Sequence, residues 1–223
     1  MTSCRTRTAR QHHPPAEPLR GRLGRGAGRR GVVESIVARR WLLRLGRRRA
    51  CDPLAERSQA IREILDRISN AGCQVIGAVC LSCFCERFGI AHPDIDSLIA
   101  HLWAFARIAS PDEFVAWDRA LGRNALHGLG DPVPDEVLAV VPAELQEDFG
   151  ALVESVVEIG MYDAYGANTD GPRDFLMLAI RLCEGHNVPV PNLEPFLRSP
   201  QTSRWGMPVA EETLAQWRLL ANR

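Results

Sequence analysis

The stretch from Gln74 to Ile108 constrains the fold most, because it joins a helix without a polar face to a well-marked turn. Residues 74–88 are apolar on nearly every side of a helix, with charges only at Glu86 and Arg87. A helix that is apolar all round must be covered all round, so this segment predicts the central helix of a bundle. The sequence GIAHP follows, and Pro93 with acidic residues behind it predicts the start of a second helix.

Local start and stop signals predict the remaining helices. Asp52-Pro53 is typical of a helix start, and Ser110-Pro111-Asp112-Glu113 has the pattern of a capping box. No segment shows the sustained two-residue alternation of a strand. We therefore expect a single all-α domain over residues 52–223, a compact bundle of seven or eight helices. The further helices are predicted at residues 52–69, 111–121, 135–141, 142–160, 172–184 and 208–221.

The chain has no net charge because two oppositely charged parts cancel. Residues 1–50 contain 14 arginines and two glutamates (+12), whereas residues 51–223 contain 13 arginines and 25 acidic residues (−12). All 27 basic residues are arginine, which favours a GC-rich and therefore bacterial gene. Residues 1–31 have too few apolar side chains to offset chain entropy.

We interpret residues 1–50 as a disordered, Arg-rich N-terminal tail. The simplest explanation is a solvated tail without function or an upstream extension of the gene start. Arginines among apolar residues also permit binding to nucleic acid or to an anionic membrane surface. An Arg-rich targeting peptide is a further alternative, which a bacterial origin disfavours.

The seven cysteines favour a reducing compartment. Their number is odd, and no apolar run of a secretory signal precedes them, so we expect a cytoplasmic protein. No segment approaches the roughly 18 apolar residues of a membrane span. Cys73, Cys80 and Cys83 share a helix face near Cys85, but zinc requires four converging ligands, and no second ligand pair has suitable spacing. We therefore expect structural cysteines and neither a metal nor a cofactor.

Motifs of catalysis are absent from the sequence. It contains no Gly-x-Ser-x-Gly, no Gly-rich phosphate loop and no His-Glu-x-x-His. We therefore favour a non-enzymatic protein without catalytic residues. The alternative is an enzyme of unspecified reaction with a pocket near residues 160–171.

The strongest candidate for a binding surface is the predicted helix 142–160 with the loop after it. Five acidic residues follow one side of this helix without an arginine to pair with them, and the loop holds both tyrosines of the chain. Tyrosine is favoured at recognition surfaces because it offers a large contact area and a hydrogen bond. The alternative is a solvated acidic face with tyrosines that cap the core. The predicted partner-binding residues are Glu147, Glu154, Glu158, Tyr162, Asp163, Tyr165, Asn168 and Asp170.

These residues predict a basic protein partner. Size, charge and helix content are those of bacterial adaptor or immunity proteins, an analogy at the level of fold alone. The acidic body would repel nucleic acid, so nucleic-acid binding is an alternative only through the Arg-rich tail.

Overall fold

The fold is entirely helical over the residues that the computed structural model describes, which are 53–162, 170–198 and 208–221. This part of the chain contains eight α-helices, three short 3-10 helices and no strand, so the predicted all-α bundle is confirmed. The predicted tail of residues 1–50 lies outside the described residues. The α-helices are α1 (Pro53–Leu65), α2 (Asn70–Phe88), α3 (Pro93–Ala104), α4 (Pro111–Leu121), α5 (Asp135–Leu138), α6 (Gln146–Tyr162), α7 (Asp170–Gly185) and α8 (Glu211–Ala221). The 3-10 helices are Phe105–Arg107, Ala143–Leu145 and Glu194–Arg198.

Helix α2 is the centre of the bundle, as its lack of a polar face predicts. Fourteen of its 19 residues are buried. It packs against α6 and α7, which also pack extensively against each other, and α3 lies against it as well. The three helices α2, α6 and α7 therefore form the core on which the other elements are placed.

The start of α2 differs from its prediction. The helix begins at Asn70, about four residues earlier than expected, because the Ser69 hydroxyl accepts a hydrogen bond from the Gly72 amide at 3.2 Å. Residues 70–72 therefore form the first turn of α2 instead of a break after α1. The helix ends at Gly89, where φ is 64° and the Ile90 amide donates to the Cys85 carbonyl at 2.9 Å.

Among the described helices, α2 is the one that is long and apolar enough to cross a membrane by length and composition. Its best window has a mean hydropathy of 1.3. However, 72% of that window is buried inside the bundle, as is typical of a core helix. This pattern gives no support to a membrane span.

Helix α1 is joined to α7 mainly through polar contacts. The buried Arg173 of α7 donates from Nε to the Leu65 carbonyl at 3.1 Å and from one terminal nitrogen to the Ile68 carbonyl at 3.0 Å. These bonds cap the end of α1, where the Leu65 carbonyl also accepts from the Ile68 amide at 3.0 Å. The helix ends at Leu65, before the predicted Ser69. Two ion pairs reinforce this contact: Arg57–Glu184 and Arg62–Asp174.

Candidate functional site

Helix α6, which carries most of the predicted binding residues, is covered along one side by residues 128–141, called here the covering segment. At the far end of α6, a Cβ placed on Gly128 would lie 3.3 Å from Cβ of Val157. At the near end, the side chain of Gln146 donates to the Leu138 carbonyl at 3.1 Å. The covering segment therefore lies antiparallel to α6 and hides part of the face that the sequence predicts to be open.

The predicted acidic face is consequently not uniform. Glu147 is exposed, as expected, together with the nearby Glu144, whereas Glu154 and Glu158 are half-buried. Asp148 has a basic partner after all, because Nε2 of His186 lies 2.6 Å from its carboxylate. This pair could not be recognised from the sequence, since its members are 38 residues apart.

The Asp148–His186 contact joins the beginning of α6 to the end of α7. A carboxylate near a helix N-terminus, as Asp148 is, interacts favourably with the helix dipole. Two phenylalanine rings of α2 lie nearly perpendicular to the imidazole, with ring centroids 5.5 Å (Phe84) and 5.9 Å (Phe88) from it. These contacts fix the imidazole between three helices and make its role structural.

Glu154 holds a turn of the covering segment onto α6. Its carboxylate accepts a hydrogen bond from the Gly130 amide at 2.9 Å. Gly128, Leu129 and Gly130 have φ values of 64°, 62° and 83°, and successive amides in such a turn form a concave site for an anion. Burial raises the pKa of Glu154, and the amides of Gly130 and Leu129 counteract that rise.

Glu158 lies one helical turn after Glu154 and is the most perturbed carboxyl group of this region. Burial, and secondarily the charge of Glu154, raise its pKa from 4.5 to about 7. Glu158 is therefore mainly neutral in slightly acidic solution. This burial could not be recognised from the sequence, because it depends on the fold.

His127 is fixed by two oxygen atoms in the loop before the covering segment. Its Nδ1 lies 3.0 Å from the Asn124 carbonyl oxygen, and its Nε2 lies 2.8 Å from the Asp131 carboxylate. Both ring nitrogens therefore face acceptor oxygens of the same loop. Within residues 53–162, 170–198 and 208–221, no three His, Cys, Asp or Glu side chains are arranged to hold a metal.

The remaining predicted binding residues are only partly described. Tyr162 is the last residue of α6, and Asp170 is the exposed first residue of α7. Asp163, Tyr165 and Asn168 lie outside the described residues. The contribution of the tyrosine loop to a binding surface therefore stays a prediction.

The cysteines of the core have the properties of structural thiols. Burial raises the pKa of both Cys73 and Cys85 to about 12. A hydrogen bond with Cys183, followed by burial, raises the pKa of Cys80. Since the thiolate is the nucleophile and the metal ligand, such thiols are poorly suited to either role.

A larger acidic region becomes apparent once the covering segment is placed on α6. Between Arg123 and Arg173 the chain contains ten Asp and Glu residues and neither Lys nor Arg. Three exposed acids of the covering segment were not among the predicted site residues, although the long interval without arginine was a usable signal. We define the acidic corner as the five exposed acids of residues 131–147: Asp131, Asp135, Glu136, Glu144 and Glu147.

No protein-family model, curated protein or solved structure matches this chain. What the molecule binds therefore has to be inferred from its own charges, contacts and burial.

Proposed function

We propose that this chain is a non-enzymatic binding protein of the bacterial cytoplasm that engages a basic protein through the acidic corner. The single observation that carries the proposal is the exposure of five acids in an interval of the chain that has neither lysine nor arginine. An adaptor or an immunity protein is the type of molecule that such a surface suits.

The charge of the acidic corner would act mainly on the approach of the partner. Exposed like charges create a field that steers an oppositely charged protein and raises the association rate, with a strong dependence on salt. The same field repels nucleic acid, which makes a basic protein the better candidate at this surface. Glu154 and Glu158 would contribute less to steering, because they are half-buried.

The partner can be identified by affinity capture with the full chain from a lysate of the native organism. The lysate is treated with nuclease first, so that nucleic acid bound to the Arg-rich tail cannot bridge to other proteins. The captured protein is then purified, and its association and dissociation rates are measured at several salt concentrations. We expect a basic protein; an acidic or neutral one whose association is insensitive to salt would contradict the proposal.

A matched pair of triple variants tests whether the acidic corner is responsible. Replacing Glu136, Glu144 and Glu147 by Gln should slow association about tenfold at low salt and flatten its salt dependence, with little change in dissociation. The control replaces three exposed glutamates of α1 and α8, Glu56, Glu63 and Glu212, and removes the same charge elsewhere. Equal effects of the two variants would show that only the overall charge matters and would reject a defined binding surface.

A further inference from the structure

A run of apolar residues interrupts the acidic corner between Glu136 and Glu144. Residues 139–143 have the sequence AVVPA, and of these only Val141 is buried. The other four side chains are exposed or half-buried, and we call them the apolar ledge: Ala139, Val140, Pro142 and Ala143. Apolar residues that follow one another at a protein surface are unfavourable in water unless they make a contact with another molecule.

Val140 has the largest exposed side chain of the apolar ledge. It keeps 40% of its surface exposed, although it lies between two buried core residues, Val137 and Val141. Among the described residues, the other large apolar side chains of similar or greater exposure are Val115 of α4 and Leu219 of α8. Neither of them belongs to the acidic corner, so Val140 is the exposed apolar side chain that the described acids of this corner accompany.

Hydrogen bonds hold the apolar ledge in one conformation. The Val140 amide donates to the Val137 carbonyl at 3.2 Å, and the Val141 amide donates to the Leu138 carbonyl at 3.1 Å. The side chain of Gln146 donates both to the Leu138 carbonyl at 3.1 Å and to the Val141 carbonyl at 3.3 Å. The first turn of α6 is thereby joined to the turn after α5. A surface that is fixed in this way needs little ordering when it binds.

Acidic side chains border the apolar ledge on both sides along the chain. Glu136 lies four residues before Val140 in the helical turn that α5 begins, and Glu147 lies four residues after Ala143 in the helical turn that leads into α6. Side chains four residues apart in a helical turn are neighbours on its surface. An apolar centre with a charged border is the usual anatomy of a protein interface. A second copy of this chain would bring the same acids to the contact and would be repelled.

We propose that the apolar ledge is the contact centre of the acidic corner, and that it receives a basic protein whose arginines or lysines border an apolar site. This inference rests on the proposed function and adds the chemistry of the partner's surface to it. The acids accelerate the approach of the partner, whereas the ledge slows its departure, because dissociation returns the apolar contact to water.

Binding kinetics test the proposal with the basic protein that the full chain captures. Val140→Ser removes apolar contact area without a change in charge, and Val115→Ser is the matched control, since Val115 of α4 is 42% exposed. Val140→Thr keeps the branched shape and replaces one methyl group by a hydroxyl group. Association and dissociation rates are measured at low salt and at about 0.5 M salt, where charge effects are strongly screened. Urea unfolding verifies that each variant is as stable as the native chain.

We expect Val140→Ser to accelerate dissociation about tenfold at both salt concentrations and to leave association unchanged. Val140→Thr should accelerate dissociation less, and Val115→Ser should change neither rate. An unchanged dissociation rate in Val140→Ser, or an equal acceleration by Val115→Ser, would overturn the proposal. If the triple glutamine variant of the acidic corner still slows association in that case, the proposed function stands without the ledge.

The remaining outcomes separate this inference from the proposed function. An effect of Val140→Ser without any effect of the triple glutamine variant would reject the role of the acids, on which this inference also depends. Capture of no basic protein would reject both proposals. Self-association of the native chain that Val140→Ser abolishes would assign the apolar ledge to a second copy and overturn this inference alone.

Discussion

Gly160 allows α2 and α6 to approach each other closely. A Cβ at this position would lie 2.5 Å from Oε1 of Gln74 and 3.1 Å from the ring of Phe105. The fully buried Gln74 donates from Nε2 to the Val156 carbonyl at 2.8 Å, whereas its Oε1 has no hydrogen-bond partner among the described residues. An amide held in this way cannot move aside without losing its one bond, so the absence of a side chain at Gly160 is a packing requirement.

Alanine substitution at two glycines of α6 should therefore have opposite effects. Gly160→Ala should destabilise the protein by about 1–2 kcal/mol, since the clash with Gln74 exceeds the gain in helix propensity. Gly150→Ala should stabilise it by about 0.5–1 kcal/mol, because its new Cβ would meet only Val133 at an ordinary 3.7 Å. Urea unfolding measures both changes. Stabilisation by Gly160→Ala would show that the contact with Gln74 is not tight.

Glu158 should make the stability of the whole protein depend on pH. Its pKa is higher in the folded protein, about 7, than in the unfolded chain, so its stabilising contribution is complete below the unfolded pKa. That contribution is lost as the pH rises toward and through 7. Glu158→Gln should therefore raise the free energy of unfolding by about 1–2 kcal/mol at pH 8 and change it little at pH 5. Urea unfolding of both proteins at the two pH values, with Glu144→Gln as control, checks this; equal differences at pH 5 and pH 8 would contradict it.

At the scale of elements, the sequence predicted best where a local signal marks a helix end. Ser110 accepts from the Glu113 amide at 3.3 Å, and the Glu113 carboxylate accepts from the Ala109 amide at 2.7 Å, close to the predicted capping box. The apolar surface of α2 likewise predicted its central place. Such signals involve residues within a few positions of each other, and a single sequence displays them directly.

Contacts between distant elements could not be predicted in this way. The covering segment contains only the short helix α5, and nothing in its sequence showed that it lies along α6. The prediction of one open acidic face was therefore too simple, although Glu147 is exposed as expected. Similarly, the contact between Arg173 and the end of α1 spans more than 100 residues. Charge could be counted from the sequence, but its distribution over the surface required the fold.

Arg173 should be the main polar contact that holds the end of α1. Arg173→Met should destabilise the protein by about 2–4 kcal/mol, because the carbonyls of Leu65 and Ile68 both lose their bond to the guanidinium. The Leu65 carbonyl keeps the bond from the Ile68 amide. Arg173→Lys should recover only part of this loss, since an ammonium group lacks the planar fork of a guanidinium. Arg181→Met, at a half-exposed position of the same helix, is the control and should change stability by less than about 0.5 kcal/mol.

Exchange of the α1 amides distinguishes local from global effects of Arg173→Met. We expect faster exchange in α1 than in α2, because the loss of the helix-end bonds frees α1 before the core opens. A uniform change throughout the described helices would show that Arg173 supports the whole bundle equally.

At the scale of the whole molecule, the described residues form one hydrophobic core. The fully buried large side chains come from helices and turns spread over the domain, including Leu65, Phe84, Phe149, Phe196 and Trp217. The sequence predicted this helical body from its apolar periodicity, whereas the place of residues 1–50 outside it stays a prediction. The sequence predicted the functional surface less well than the core, because exposed charges contribute to solubility as well as to recognition.

Deletion of residues 1–50 tests this division of the chain. The free energy of unfolding should stay within about 0.5 kcal/mol of the full chain, because the core of the body is already closed by described residues. The slope of the free energy of unfolding against urea concentration should also be unchanged, since the body exposes the same surface when it unfolds.

Measurements at low salt and near 1 M salt separate the effects of charge from those of packing, because the screening length falls to about 3 Å at the higher concentration. A loss of stability that high salt abolishes would reveal an electrostatic contribution of the arginines. A loss that persists would show that apolar residues of the segment 32–45 belong to the core, and the predicted boundary near residue 51 would then be wrong.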